Sequence, residues 1–289
     1  MQNKTSTFIS KSTNQYEGEK KMTAKVKRKS INWTARTAGG RYHIFALVAA
    51  SLILAVTVCA CSNGSNLGVG ARFGSGTIVS EERPADDFDS VFVRGSGTVF
   101  LTQGEAVSVV VETDDNLISR VYTEVRGGTL ELSYASGPFG THLRPTQGYN
   151  YHITVVDLEN ITIRGSADVF VDSVVAEQLD LEVTGSGQID IENIRADEVR
   201  ADITGSGEIT LSGEADTQQV SVTGSGTFDG HDFEGKYVKV SNKGSGTATV
   251  WATVELDASI AGKGDILYYG DVVPDMSNGS GEALSLGNR

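Results

Sequence analysis

From Val91 to Tyr268 the chain alternates apolar and polar residues. The alternation is punctuated at intervals by Gly-Ser-Gly or a close variant. The motif starts at Gly95, Gly185, Gly205, Gly224 and Gly244, with Gly165-Ser166-Ala167 and Gly262-Lys263-Gly264 as variants and further copies at Gly74 and Gly279. From Gly165 the first glycines step by 20, 20, 19, 20, 18 and 17 residues. Two residues before the first glycine stand Val93, Ile163, Val183, Ile203, Val222, Asn242 and Ile260. Four residues after it stand Val99, Val169, Ile189, Ile209, Phe228, Ala248 and Ile266. Alternation with period two marks strands buried on one face, and the β-branched residues that dominate it suit strands.

Each repeat therefore reads as a strand, a Gly-Ser-Gly corner, a second strand and a second corner, with strands of about five residues. One such unit cannot bury its apolar side alone. Stacked in register, successive units share a core and pair their backbones with the coils above and below. The expected fold class is all-β: a parallel β-helix or closely related β-solenoid with about 20 residues per coil. The rival is an antiparallel sandwich. It would need the Asn-Gly or Asp-Gly hairpin turns that are scarce here. The corner glycines are expected to adopt positive φ, and the serines to stack with their hydroxyls on neighbouring backbone. Asn242 stands in an otherwise aliphatic column, so its amide needs a partner in the backbone beside the Lys243 corner.

The 70 residues from Gly95 to Gly165 are less regular. Val107–Glu112 alternates as a strand, and Asn116–Tyr122 suits a short helix or turn. Arg126-Gly127-Gly128-Thr129 reads as a tight turn before Leu130–Tyr134. Ser136–Asn150, with Pro138 and Pro145, reads as a loop that could shield an open solenoid edge.

Ahead of the repeats the pattern changes. Residues 1–60 hold ten Lys or Arg and two Glu, a net charge of +8. They end in an uncharged apolar run from Ile44 to Ala60. That run is shorter than the roughly 20 residues of a spanning helix and has the plan of a secretory signal. Its end, Val58-Cys59-Ala60-Cys61-Ser62, resembles a bacterial lipobox, and Cys61 is the expected lipidated residue because the small Ala60 precedes it. An uncleaved signal anchor is the alternative. Met22, followed by Lys25, Lys27, Arg28 and Lys29, is an alternative start. The expected organisation is a targeting segment over 1–60, the lipidated Cys61 with a Gly/Ser/Asn tether over 61–79, and a β-helix over 80–289.

The formal charge of −13 over 289 residues thus averages a basic leader with a remainder of 14 basic and 35 acidic residues, net −21. A nucleic-acid partner is excluded, since it needs basic surface. The 34 glycines are largely a corner column rather than a mark of disorder. The two cysteines both lie in the leader region, so the rest of the chain has no thiol chemistry.

Several segments resemble the head GIN domain family, also labelled an auto-transporter adhesin. They are Ser80-Glu81-Glu82-Arg83-Pro84, Phe88-Asp89-Ser90-Val91 and the run Gly95 to Gly104, then Asp114-Asp115-Asn116-Leu117-Ile118 and Ile260 to Gly270. The family usually has Ser where this chain has Lys263. The resemblance covers roughly residues 75–283. It implies a right-handed parallel β-helix on secreted or lipid-anchored envelope proteins and no catalytic residues.

Candidate chemistry is sparse. His142, His152 and His231 show no metal-ligand spacing, so no metal site and no cofactor are expected. No nucleophile elbow is present, and the Gly-Ser-Gly repeats precede strands rather than helices, so they are not phosphate loops. By analogy with β-helix enzymes that cleave acidic polysaccharides, the carboxylates to weigh are Glu182 and Asp202, neighbours in one column, and Glu208 in another. A solvated outer face is the plainer reading of all three. Trp251, with Tyr268 and Tyr269, could form a sugar-stacking strip, or plug the C-terminal end of the solenoid. The expected function is a non-enzymatic, adhesin-like binding module. A lipid anchor would hold it at the cell envelope, and a cell-surface glycan or protein would be its ligand. The alternatives are a carbohydrate-active enzyme and a self-assembling scaffold.

Overall fold

The computed structural model describes residues 71–135, 142–277 and 279–289. The targeting segment, Cys61 and the first part of the tether lie outside the described residues. The chain enters through β1 (Arg72–Phe73) and β2 (Ile78–Arg83), so the tether expected up to residue 79 gives way to strand at Arg72. β3 (Ser90–Gly95) and β4 (Thr98–Gln103) flank the first corner of the repeat array.

The irregular stretch then forms β5 (Ser108–Asp114), a 3-10 turn at Ile118–Arg120, β6 (Val121–Arg126), β7 (Thr129–Tyr134), β8 (Leu143–Arg144) and β9 (Asn150–Val155). Its pairing is mixed. β2 and β9 run antiparallel to β5, and β6 runs antiparallel to β7 through a turn in which Gly127 and Gly128 have φ of 57° and 81°. β7 and β9 then add in parallel to β3 and β4 and cover their free sides. The expected loop over 136–150 carries β8, which pairs with β1, and its last residue opens β9.

From β10 (Asn160–Gly165) and β11 (Asp168–Val171) onward every pairing is parallel. β12 (Val174–Gly185), β13 (Gln188–Gly205), β14 (Glu208–Gly224), β15 (Thr227–Gly244) and β16 (Thr247–Ile260) are each most of one coil. β17 (Asp265–Tyr269), β18 (Asp275–Ser277) and β19 (Ala283–Gly287) follow. The fold is a β-solenoid whose register matches like with like: Gly95, Gly165, Gly185, Gly205, Gly224 and Gly244 stand in one column.

Each coil has three straight segments rather than the two expected. In β13 the buried positions run Ile189 and Ile191, slip to Ile194 and Ala196, and slip again to Val199, Ala201 and Ile203. Because side chains alternate between faces, each slip is a bend. The two slips and the Gly-Ser-Gly corner give three turns of direction per coil.

The core is a set of apolar columns, and bulk is traded between neighbours. The fully buried Phe228 sits in register with Ala248, and Phe233 with Gly213. Such exchange keeps the summed volume of the column near constant, which close-packed interiors require.

The two corner glycines do different work. Gly205 has φ of +121°, a conformation only glycine adopts cheaply. Gly207 has no such φ. It leaves room for the previous coil, since a Cβ there would lie 2.8 Å from the carbonyl oxygen of Gly187. The serine amide, rather than its hydroxyl, makes the repeating contact: Ser186 N–H donates to Gly165 and Ser206 N–H to Gly185, both at 2.8 Å. At the last copy of the motif the Ser280 hydroxyl also donates to the Gly262 carbonyl, at 2.6 Å. Asn242 is fully buried and donates across its corner to the carbonyls of Gly246 and Asp265, at 2.7 and 3.2 Å.

Candidate functional site

The parallel register turns each outward-facing sequence position into a column on one flat face. On the face before the corner, Glu182 and Asp202 stand on adjacent coils, between Thr162 and Ser221. Asp180 and Arg200 occupy the next column. Arg200 answers these carboxylates, 3.7 Å from Asp180 and 3.1 Å from Glu198, and Gln219 adds a 2.9 Å hydrogen bond to Glu198. Burial pushes the Asp202 carboxyl above the usual range, a hydrogen bond from Ser221 and the charge of Arg200 pull it back, and Glu182 and Asp180 push it up again.

Glu208 lies past the corner, on the second face, between Gln188 and Thr227. Asp168 and Asp190 on that face are likewise raised by burial. Trp251 belongs to the third face, in register with Glu234 and Tyr269. The Arg289 guanidinium lies over both rings, 5.8 Å from Trp251 and 4.9 Å from Tyr269. Tyr268 alone of the three aromatics turns to the core. The structure thus brings together Glu182 and Asp202 and places Glu208 and Trp251 on two other faces.

Three further groupings were not singled out in the sequence. His152, Phe100 and Phe170 stack along the second face with ring centroids 5.1 and 6.0 Å apart and interplanar angles of 12° and 23°. At that spacing parallel rings face one another and turn their edges outward, so this is a packing ladder rather than a flat platform for a sugar. His231 is held by Asp229 and Asp232, both at 2.8 Å, and Asp232 also binds Arg289, which holds its carboxyl below the usual range. On the first face, Arg94 and Arg164 sit in register on neighbouring strands and share the ring of Phe92, at 4.6 and 5.2 Å. Reading one position back from each corner glycine exposes this column: Arg94, Arg164, Thr184, Thr204, Thr223, Lys243.

A groove of about 410 Å³ opens beside Arg94, lined also by Tyr122, Glu124, Arg126, Glu131 and Ser133. A second depression, of about 220 Å³, lies at the bend carrying Arg195, Asp197, Glu214, Asp216, Glu234 and Lys236. Neither includes Glu182, Asp202, Glu208 or Trp251. Two carboxylates acting on a glycoside must flank the bond from a cleft, whereas Glu182 and Asp202 stand side by side on a sheet face. Among the described residues, no group of three or more His, Cys, Asp or Glu is placed to hold a metal ion. No helix of the described residues is long and apolar enough to cross a membrane.

A family model described as "Putative auto-transporter adhesin, head GIN domain" matches residues 87–272. Among solved structures, one described as a putative adhesin from Bacteroides fragilis aligns with a TM-score of 0.69 at 22% identity, covering 76% of this chain and all of its own. One described as a putative lipid binding protein from Parabacteroides distasonis aligns with a TM-score of 0.64 at 27% identity, covering 75% of this chain and 99% of its own. A putative adhesin from the same organism aligns with a TM-score of 0.62 at 24% identity, covering 75% and 100%. No curated protein matches the chain.

Proposed function

We propose, from the premise that the chain belongs to the head GIN domain family, that it is a non-enzymatic, adhesin-like binding module exported to the cell envelope. The observation that carries this reading is the distribution of its polar groups. Stacked coils spread them over three rigid faces in repeating columns, and the candidate carboxylates are divided among those faces instead of converging in a cleft. Repeated display on a stiff surface suits many weak contacts made at once, multiplied by many anchored copies. In this reading Cys61 carries the lipid that holds the module at the membrane, and the ligand is a glycan or protein of another surface.

The address is tested by labelling cells with a palmitate analogue. Labelled protein in the membrane fraction, lost in Cys61→Ala, is expected; unlabelled cytoplasmic protein would overturn the anchor. The activity is tested by adhesion of cells displaying the full chain to glycan- and protein-coated surfaces, compared with cells lacking it. Equal adhesion on every surface overturns the binding reading.

A second reading, a carbohydrate-active enzyme, has one observation in its favour: the adjacency of Glu182 and Asp202 together with the raised Asp202 carboxyl. Turnover of an acidic polysaccharide that disappears in Glu182→Gln would establish it.

A further inference from the structure

We infer that Arg94 and Arg164, with the groove beside Arg94, form a recognition site for a carboxylated sugar within a glycan. This rests on the binding-module reading above and names the ligand class for one face of it.

The two arginines are directly opposite each other on parallel strands, in register from Ser90–Asn160 to Gly95–Gly165. Neighbouring strands are about 4.8 Å apart, so two like charges are held side by side, an arrangement that destabilises a sheet unless something answers it. Both side chains are exposed, and among the described residues neither has a carboxylate within 4.0 Å, whereas Arg126, Arg195 and Arg200 each do. Phe92 beneath them compensates in part by cation–π attraction, and it fixes both guanidinium groups over one ring. Two guanidiniums positioned this way offer paired N–H donors to a planar oxyanion, the geometry in which arginine exceeds lysine.

The groove says what the oxyanion is attached to. Its walls continue the same outward face: β7 runs beside β3, and β6 beside β7. Tyr122 is 55% exposed and presents an apolar ring. Glu131, Ser133 and the Glu124 oxygen that its 2.7 Å pairing with Arg126 leaves over present hydrogen-bond acceptors, which match hydroxyl donors. A pyranose with a carboxylate has all three features: an oxyanion for Arg94 and Arg164, hydroxyls for the glutamates and serine, and an apolar C–H face for Tyr122. An anionic bilayer fits less well. It would set a field of negative charge against Glu124, Glu131 and the net charge of −21 on residues 61–289. The same net charge gives no long-range pull on a polyanion, so recognition is confined to this local pair.

The test titrates the full-length protein in detergent with tetragalacturonic acid, with the neutral galactose tetramer as control. Binding of the acidic tetramer alone is expected, weakened about tenfold or more in Arg94→Gln and in Arg164→Gln. Arg94→Lys should also weaken it, because the point charge remains while the fork is lost. Arg195→Gln on the third face should leave it unchanged, and melting curves check that each variant folds. Equal binding of the neutral tetramer, an unchanged affinity in both glutamine variants, or full competition by equimolar inorganic phosphate would overturn the inference. So would binding confined to phosphatidylglycerol vesicles. Displayed cells separate the two claims. If the wild type adheres and Arg94→Gln/Arg164→Gln adheres equally, this site is wrong and the binding module stands. If the wild type promotes no adhesion and neither tetramer binds, the module reading fails and the site with it; if it promotes no adhesion but binds the acidic tetramer as expected, the site stands and the adhesive role is overturned.

Discussion

The carboxylate of Asp114 accepts two hydrogen bonds from Thr146, one from its backbone N–H and one from its hydroxyl, each at 2.7 Å. The backbone N–H of Gly76 supplies a third, at 2.8 Å. Asp114 is fully buried at the end of β5, and a side chain at Gly74 would overlap its carboxylate. One side chain therefore joins the entering chain, β5 and the segment after β8. The Gly74-Ser75-Gly76 copy serves this latch instead of the corner column.

Burial alone would raise the Asp114 carboxyl, but hydrogen bonds from Thr146, Gly76 and its own backbone outweigh it and hold the group below 3.8. A folded-state value below the unfolded one means the stabilisation is present above about pH 4 and is lost as pH falls through the folded value. Asp114→Asn is expected to lower unfolding free energy at neutral pH by about 1.5–3 kcal/mol. It should also flatten the fall in stability of the wild type on acidification. Urea unfolding across the acid range checks both, and superimposable pH profiles would refute the latch.

Asp202 has the opposite sign. Its raised carboxyl means that ionisation is disfavoured in the folded chain, so the penalty is present at neutral pH and disappears as pH falls through the raised value. Asp202→Asn should raise the melting temperature at neutral pH and have no effect in acid, where both forms are neutral. A drop in melting temperature at neutral pH would count against this account.

Gly205→Ala combines a φ of +121° with a Cβ 2.5 Å from the Gly185 carbonyl oxygen. Strain and overlap together are expected to cost about 2–4 kcal/mol. Ser206→Ala, which keeps the amide that donates to Gly185, should stay within about 0.5 kcal/mol of wild type. Comparable losses in the two variants would mean that the serine hydroxyl matters as much as the glycine corner.

Asn242 stands between Val222 and Ile260 in the buried column, and its Oδ1 has no hydrogen-bond partner. Asn242→Val gives up two donated bonds but removes an orphan acceptor and restores an aliphatic position. The two effects offset, and a net change within about 1 kcal/mol is expected. Asn242→Ala gains nothing in packing and should be clearly less stable. Thermal melts of the pair test this, and equal destabilisation would show that the amide bonds dominate.

The register was legible because two marks repeat together, the corner glycines and the aliphatic positions beside them. Val183, Ile203 and Val222 meet in the structure as their distance from the corner implies. The third segment of each coil was not legible. It carries no Gly-Ser-Gly, and its pairing shifts between Ile191 and Ile194 and again between Thr210 and Ser212, so fixed offsets fail there. The antiparallel strands β2 and β6 were hidden for another reason: each occurs once, so no period marks it, and the partner of β2 is the distant β5, with Ile78 meeting Asp114 and Arg83 meeting Val109. Of the candidate residues, the pairing of Glu182 with Asp202 followed from register. The separation of Glu208 and Trp251 from them depends on bends that fall outside the repeat.

Because every coil meets its neighbours like for like, the array has a natural quantum of length. Gly185 and Gly205 occupy equivalent places 20 residues apart, and the residues before each are paired one to one from Val174–Ile194 onward. Removing residues 186–205 would join Gly185 to Ser206 across an unchanged corner and present β14 to β12 in the register it now shares with β13. Such a chain would shorten by one storey without a new interface having to be invented. A gain or loss of half that number would put every downstream side chain on the wrong wall.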